Sequence, residues 1–169
     1  MKESERSHKL LLLGLLGSFF CWISVLLLGG SDGLLPDPRW GDLPAWRFVL
    51  SGTLGSLAMI LVLIGFFGLY RLIRPAHRTA NGILFGGLLA CVPGAVFHFL
   101  FSSGAWLYVR LGGTDWAAQV IADLFATHTS IIGISFLGMI VASLSLASCI
   151  ARGKTPFPRW ALPCNILTI

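Results

Sequence analysis

At 169 residues the chain has the length of a single domain, but 56% of it is hydrophobic, only 11% is charged and its mean hydropathy is +0.84. Soluble domains carry roughly 25% charged residues, so this composition excludes an ordinary water-soluble protein. The net charge of +5 does not point to nucleic acid either, because the twelve Lys and Arg stand in short clusters between apolar runs and form no single patch.

The first apolar run covers about 10–30, behind a basic start containing Lys2, Arg6 and Lys9. It is longer than the hydrophobic region of a secretory signal, and no small-x-small cleavage site precedes the polar Ser31-Asp32. It reads as an uncleaved membrane span. Three more runs follow, at about 47–72, 80–108 and 117–150. About 20 apolar residues cross the roughly 30 Å of bilayer hydrocarbon. Backbone groups at that depth find no water to bond, so such runs are helical. The expected fold is therefore all-α, one polytopic transmembrane bundle of four spans occupying 1–169.

Orientation follows from the basic residues. Lys2, Arg6 and Lys9, then Arg71, Arg74 and Arg78, then Arg152, Lys154 and Arg159 fall on one side. The other side has Arg39, Arg47 and Arg110 accompanied by Asp32, Asp37, Asp42 and Asp115. The positive-inside bias places the N-terminus in the cytoplasm and the protein in the cell inner (plasma) membrane. The Pro- and Asp-rich stretch 31–46 is expected to cap the outer surface with Trp40 and Trp46 at headgroup level. After Arg152 come turn-forming prolines and then 161–169, apolar but too short to span, which reads as a segment along the interface or the start of an incomplete fifth helix.

The chain contains Trp46-Arg47 leading to Gly52 and Gly55, the exit Tyr70-Arg71-Leu72-Ile73-Arg74-Pro75-Ala76, a His in each of the last two spans, and Thr155-Pro156-Phe157-Pro158-Arg159-Trp160. Together these elements resemble a family of small polytopic bacterial membrane proteins known only as a domain of unknown function. The resemblance touches most of the chain and implies no activity. Members look longer than this chain, with more membrane helix after the Pro-Arg-Trp element.

In the third span Gly82, Gly86, Ala90, Gly94, His98 and Ser102 recur every fourth residue. Each such step drifts about 40° around a 3.6-residue helix, giving a slowly spiralling ridge of small side chains for close helix packing. The Gly82, Gly86, Ala90 and Gly94 part of it is also a surface on which a second copy could seat. Pro93 frees a carbonyl within this helix and predicts a kink. Counted from the outer ends of their spans, His98 and His128 are each about 15 Å deep. Neutral packing histidines are the first reading; a ligand or proton site, or an axial haem pair, are the alternatives. Asp123 is the acid within a span, with Arg47 and Arg110 as expected ion-pair partners. Gln119, Asp123 and Thr127 share one helix face.

No metalloprotease, P-loop, serine-hydrolase or paired-aspartate motif occurs. The expected function is thus a non-enzymatic integral membrane protein. It would bind a small or lipid-like ligand, or a membrane partner, with His98, His128, Asp123, Gln119, Thr127 and Ser102 as candidate contacts and no cofactor. One alternative is a haem-binding redox protein using His98 and His128. Another is a small proton-coupled transporter using Asp123.

Overall fold

A computed structural model describes residues 2–29, 37–153 and 155–160. Met1, the stretch 30–36, Lys154 and the stretch 161–169 lie outside the described residues. The chain forms α1 (Lys2–Leu27), a 3-10 turn (Pro38–Asp42), α2 (Ala45–Ile73), a second 3-10 turn (Arg78–Ala80), α3 (Asn81–Arg110), α4 (Asp115–Thr127) and α5 (Thr129–Arg152). Four helices are long and apolar enough to cross a membrane: Glu5–Leu27, Ala45–Ile73, Arg78–Arg110 and Thr129–Arg152. Among the described residues there is no strand.

The ends of these helices have local causes. Pro44 precedes α2, and Pro75 follows it. After α3 the chain turns through Gly112 and Gly113 at φ +77° and +63°, angles that a Cβ disfavours. Thr114 then caps α4 by accepting from the Ala117 N–H at 3.2 Å.

The distribution of side-chain size is inverted relative to a soluble bundle. Leu15, Phe19 and Trp22 on α1, Leu57 and Ile60 on α2, Phe85 and Val92 on α3, and Phe136 and Leu144 on α5 are all more than half exposed. The interior seams are built from Gly, Ala and Ser. Lipid tails are as apolar as Leu, so burying Leu gains nothing, whereas small residues let backbones touch. On α1 the seam runs Ser7, Gly14, Gly17, Cys21, Ser24, a three-four spacing, opposite Ser51, Gly55, Ala58, Gly65 and Gly68 of α2. A Cβ on Gly14 would sit 2.5 Å from Gly65 Cα. The seams also carry hydroxyl-to-carbonyl bonds: Ser51 Oγ to Ser24 O (2.7 Å), Ser56 Oγ to Ala95 O (2.9 Å) and Ser135 Oγ to Ala90 O (2.7 Å). The last lies beside Pro93, where the helix ladder is interrupted and α5 approaches most closely.

The spiral ridge of α3 serves two neighbours. Its first half, Gly82, Gly86 and Ala90, meets Ser145, Ala142 and Gly138 of α5. Its second half meets α2: Gly94 against Met59, His98 against Gly55, Ser102 against Gly52. Five steps of about 40° amount to roughly half a turn, which is why one row of residues faces first one helix and then another. The surface expected to seat a second copy is therefore already filled within one chain, by α5 and Met59. Packing runs in chain order, α1 on α2, α2 on α3 and α3 on α5, with α1 and α5 at opposite ends of the row.

Two expectations need correction. The run 117–150 is not one helix: it breaks at His128 into α4 and α5. Thr127 Oγ1, His128 Nδ1 and Thr129 Oγ1 bond back to the carbonyls of Asp123 (2.8 Å), Leu124 (2.7 Å) and Phe125 (3.1 Å). Three consecutive side chains thus bond the preceding turn, beside the His128 N–H that reaches the carbonyls of Leu124 and Phe125. Trp40 does not stand exposed on the outer cap either. It is 1% exposed, edge-on to Phe101 (5.7 Å) and Tyr108 (6.2 Å), and forms a plug with Leu28, Phe48, Ala105, Ala117 and Ile121; Trp46 does remain exposed. Asp37 fixes this plug by capping the turn at the Arg39 N–H and pairing with the Arg39 guanidinium at 2.7 Å. The guanidinium holds the Asp37 carboxyl below its usual range.

Candidate functional site

His98 lies near the middle of α3, and its ring fits the gap that Gly55 leaves in α2, where a Cβ would come within 2.5 Å of Nδ1. Through this gap Nε2 reaches Cys21 Sγ of α1 at 3.3 Å. Ser24, one turn on, donates to the Cys21 carbonyl at 2.6 Å and borders the same gap. The result is a polar node joining three helices, in which the imidazole and the thiol satisfy each other.

His128 belongs to another neighbourhood. Ser135 of α5 bonds the Ala90 carbonyl and Phe125 of α4 packs at a tilt on Phe101 (5.6 Å), so α5 and α4 line α3 in antiparallel order. The two histidines make their contacts in different directions. His98 points to α1 and α2, whereas His128 Nδ1–H donates to Leu124 O in its own helix. The structure does not bring the two imidazoles together.

Asp123 is exposed on α4 and accepts from Gln119 Nε2 at 3.3 Å, while Thr127 bonds its carbonyl, so the polar stripe Gln119, Asp123, Thr127 forms as the spacing implies. Its expected partners are engaged elsewhere. Arg47 Nη2 donates to Leu26 O at 3.4 Å, and the Arg110 guanidinium stacks 5.7 Å from the Trp106 ring centre. Neither ion pair with Asp123 is present. Asp123 instead has the Gln119 carboxamide as its partner on the same helix face.

The concave feature near these residues is a groove of about 440 Å³ between the first turns of α2 and the last turns of α3. Of its lining residues Phe48, Gly52 and Ser102 are buried at the base, Leu107 is half-buried, and Val49, Thr53, Phe99, Ser103 and Trp106 stand exposed along the sides. Ser102 Oγ bonds the Phe48 carbonyl, which leaves Thr53 and Ser103 as the groove's exposed hydroxyl residues. Of the sequence candidates only Ser102 lines it. The missed signal was the placement of Phe99 and Trp106, seven residues apart on α3, beside a Ser-Ser pair and opposite Gly52. That pattern leaves aromatic side chains standing exposed beside small ones.

A second cavity, of about 540 Å³, lies at the other end of the molecule, in the turn from α2 to α3, and is lined by Arg74, Pro75, Ala76, His77, Arg78 and Asn81. Among the described residues no group of three or more His, Cys, Asp or Glu is placed to hold a metal ion.

A sequence model for a family described as a family of unknown function (DUF6796) matches residues 1–169. No curated protein and no solved structure matches the chain.

Proposed function

We propose that this chain, which belongs to the family of unknown function DUF6796, is a multi-pass plasma-membrane protein that holds the acyl chain of a lipid or lipid-like amphiphile in the groove between α2 and α3. The observation that carries this reading is the groove: its volume suits a small-molecule site, its lining is mainly aliphatic and aromatic, and its flank residues Val49, Phe99 and Trp106 are exposed where the bilayer would lie. A chain entering it would meet apolar side chains along its length and, at the exposed sides, the hydroxyls of Thr53 and Ser103 for an ester or hydroxyl oxygen. Beside Trp106 the Arg110 guanidinium stands over the indole ring and supplies positive charge for an anionic head.

The sign of the loops assigns the leaflet. The groove end of the molecule carries Asp37, Asp42 and Asp115, and the opposite end carries nine of the twelve Lys and Arg. On the positive-inside bias the N-terminus is cytoplasmic and the groove opens to the outer leaflet. Impermeant maleimide should therefore label Asp42→Cys in intact cells and Trp160→Cys only after permeabilisation; the reverse pattern refutes the assignment.

Native mass spectrometry of protein extracted in mild detergent tests the groove itself. The parent protein is expected to retain bound lipid. Ser103→Phe, which fills the groove from its side, should lose it, while Leu144→Phe on the exposed face of α5 should not. Equal lipid retention by Ser103→Phe would overturn the reading.

A further inference from the structure

We infer that the cavity at the α2–α3 turn is a binding site for a phosphate group, carried by an anionic lipid headgroup or by a soluble phosphate compound. The inference is independent of the groove reading, because it concerns the opposite end of the molecule. Arg74 and Arg78 put two guanidinium groups on one concavity of about 540 Å³, with His77 and the Asn81 carboxamide between them and no acidic residue in its lining. Neither arginine has a carboxylate partner among the described residues, where the ion pairs are Glu5 with Lys9 and Asp37 with Arg39. In the sequence the carboxylate side chains available at this end are Glu3 and Glu5, both on α1.

A basic loop used only as a topology signal needs charge and nothing more. This turn is also held in shape. The Arg74 guanidinium lies over the Tyr70 ring, 5.6 Å from its centre, which anchors it at the cavity. His77 Nε2–H donates to the Gly153 carbonyl at 2.5 Å, tying the turn to the end of α5, where Gly153 has φ +77°. Two guanidinium groups lining one cavity supply the bidentate donors that phosphate oxygens accept. The site lies where α2 ends and α3 begins, at the edge of the apolar spans, so a lipid phosphate reaches it without leaving the headgroup layer.

The test uses the full chain in two arms. In the first, the protein is reconstituted into phosphatidylcholine bilayers with a trace of spin-labelled phosphatidylglycerol or phosphatidylcholine, and the protein-associated fraction of each is read by electron paramagnetic resonance. In the second, inorganic phosphate binding is measured by equilibrium dialysis in neutral detergent. The parent protein should prefer the anionic lipid, bind phosphate, or both. Arg74→Gln/Arg78→Gln should lower that association about three- to ten-fold, the scale of two exposed charge contacts. Arg6→Gln/Lys9→Gln on α1 removes equal charge from the same face and should change it little. Arg74→Lys/Arg78→Lys keeps charge and topology but loses the forks, and should fall between parent and Gln variant, which keeps the test decisive if the Gln variant misfolds. A preference confined to lipid identifies a headgroup site; phosphate binding without lipid preference identifies a soluble ligand. No binding in either arm, or equal losses in the Arg74/Arg78 and Arg6/Lys9 variants, overturns the inference.

Discussion

Glycine 14 and serine 51 show which forces hold neighbouring helices together when lipid surrounds them. Gly14 and Gly65 touch backbone to backbone, so Gly14→Val must separate α1 from α2 along the whole seam. Overpacking of this kind costs about 1–3 kcal/mol. The Ser51 hydroxyl bond to Ser24 O is the other sort of contact, and interhelical bonds in membranes average about 0.6 kcal/mol. Close approach should therefore outrank hydrogen bonding: unfolding in detergent is expected to show Gly14→Val losing clearly more stability than Ser51→Ala. Gly133→Ala serves as control, since a Cβ there meets nothing within 4 Å, and it should be neutral or slightly stabilising through helix propensity. A Ser51→Ala loss larger than that of Gly14→Val would mean that the seam is held by its polar bonds instead. Residue identities of this kind were legible only in part. The ridge of α3 stands out because its spacing is uniform, whereas the α1 seam alternates three and four and is interleaved with Leu, so its small residues look incidental until α2 is seen against them.

Helix boundaries were legible wherever composition changes and hidden where it does not. The first three runs, about 10–30, 47–72 and 80–108, lie on α1, α2 and α3, each delimited by charge, proline or glycine. The fourth run has no such marker at His128, because Thr, His and Ser are compatible with a helix in composition; at the break Thr127, His128 and Thr129 all bond back to the preceding turn. A span of 34 residues would be about 51 Å long, well beyond the hydrocarbon thickness, and that length was the available hint. If the side-chain bonds cause the break, Thr127→Ala/Thr129→Ala should return the carbonyls of Asp123 and Phe125 to the backbone ladder. Hydrogen exchange read by mass spectrometry is then expected to slow at amides 127–131, with the rest of α5 unchanged. Unaltered exchange at those amides would place the cause in packing, foremost in the Phe125 stack on Phe101. The same break explains why the direction of His128 was not legible. A continuous helix fixes the angle of His128 relative to the rest of its span, and an interrupted one does not.

At the scale of the whole molecule, the order of packing decides what the protein offers to its surroundings. Four apolar helices of similar hydropathy carry no sequence label saying which touches which, so a closed ring of four and an open row were equally compatible with the composition. The structure is a row in which α1 rests on α2, α2 on α3, and α3 on α5. Both edges present bulky apolar faces, Phe19 and Trp22 on α1, Phe136 and Leu144 on α5. The row is what lets both cavities exist at the α2–α3 seam, since that seam has a free face that a closed ring would turn inward. Phe19→Cys and Phe136→Cys, introduced together into a chain whose native cysteines have been replaced, distinguish the two arrangements. In a closed ring α1 and α5 would be adjacent, and mild oxidation would join the pair within one chain. In the row, α2 and α3 stand between those helices, so the monomer band should remain unlinked on non-reducing gels at low protein-to-lipid ratio. Linked dimers that disappear on dilution into excess lipid would show the two edges meeting between copies, which the row permits. An intrachain link that survives dilution would close the ring and would put the open face of both cavities in question.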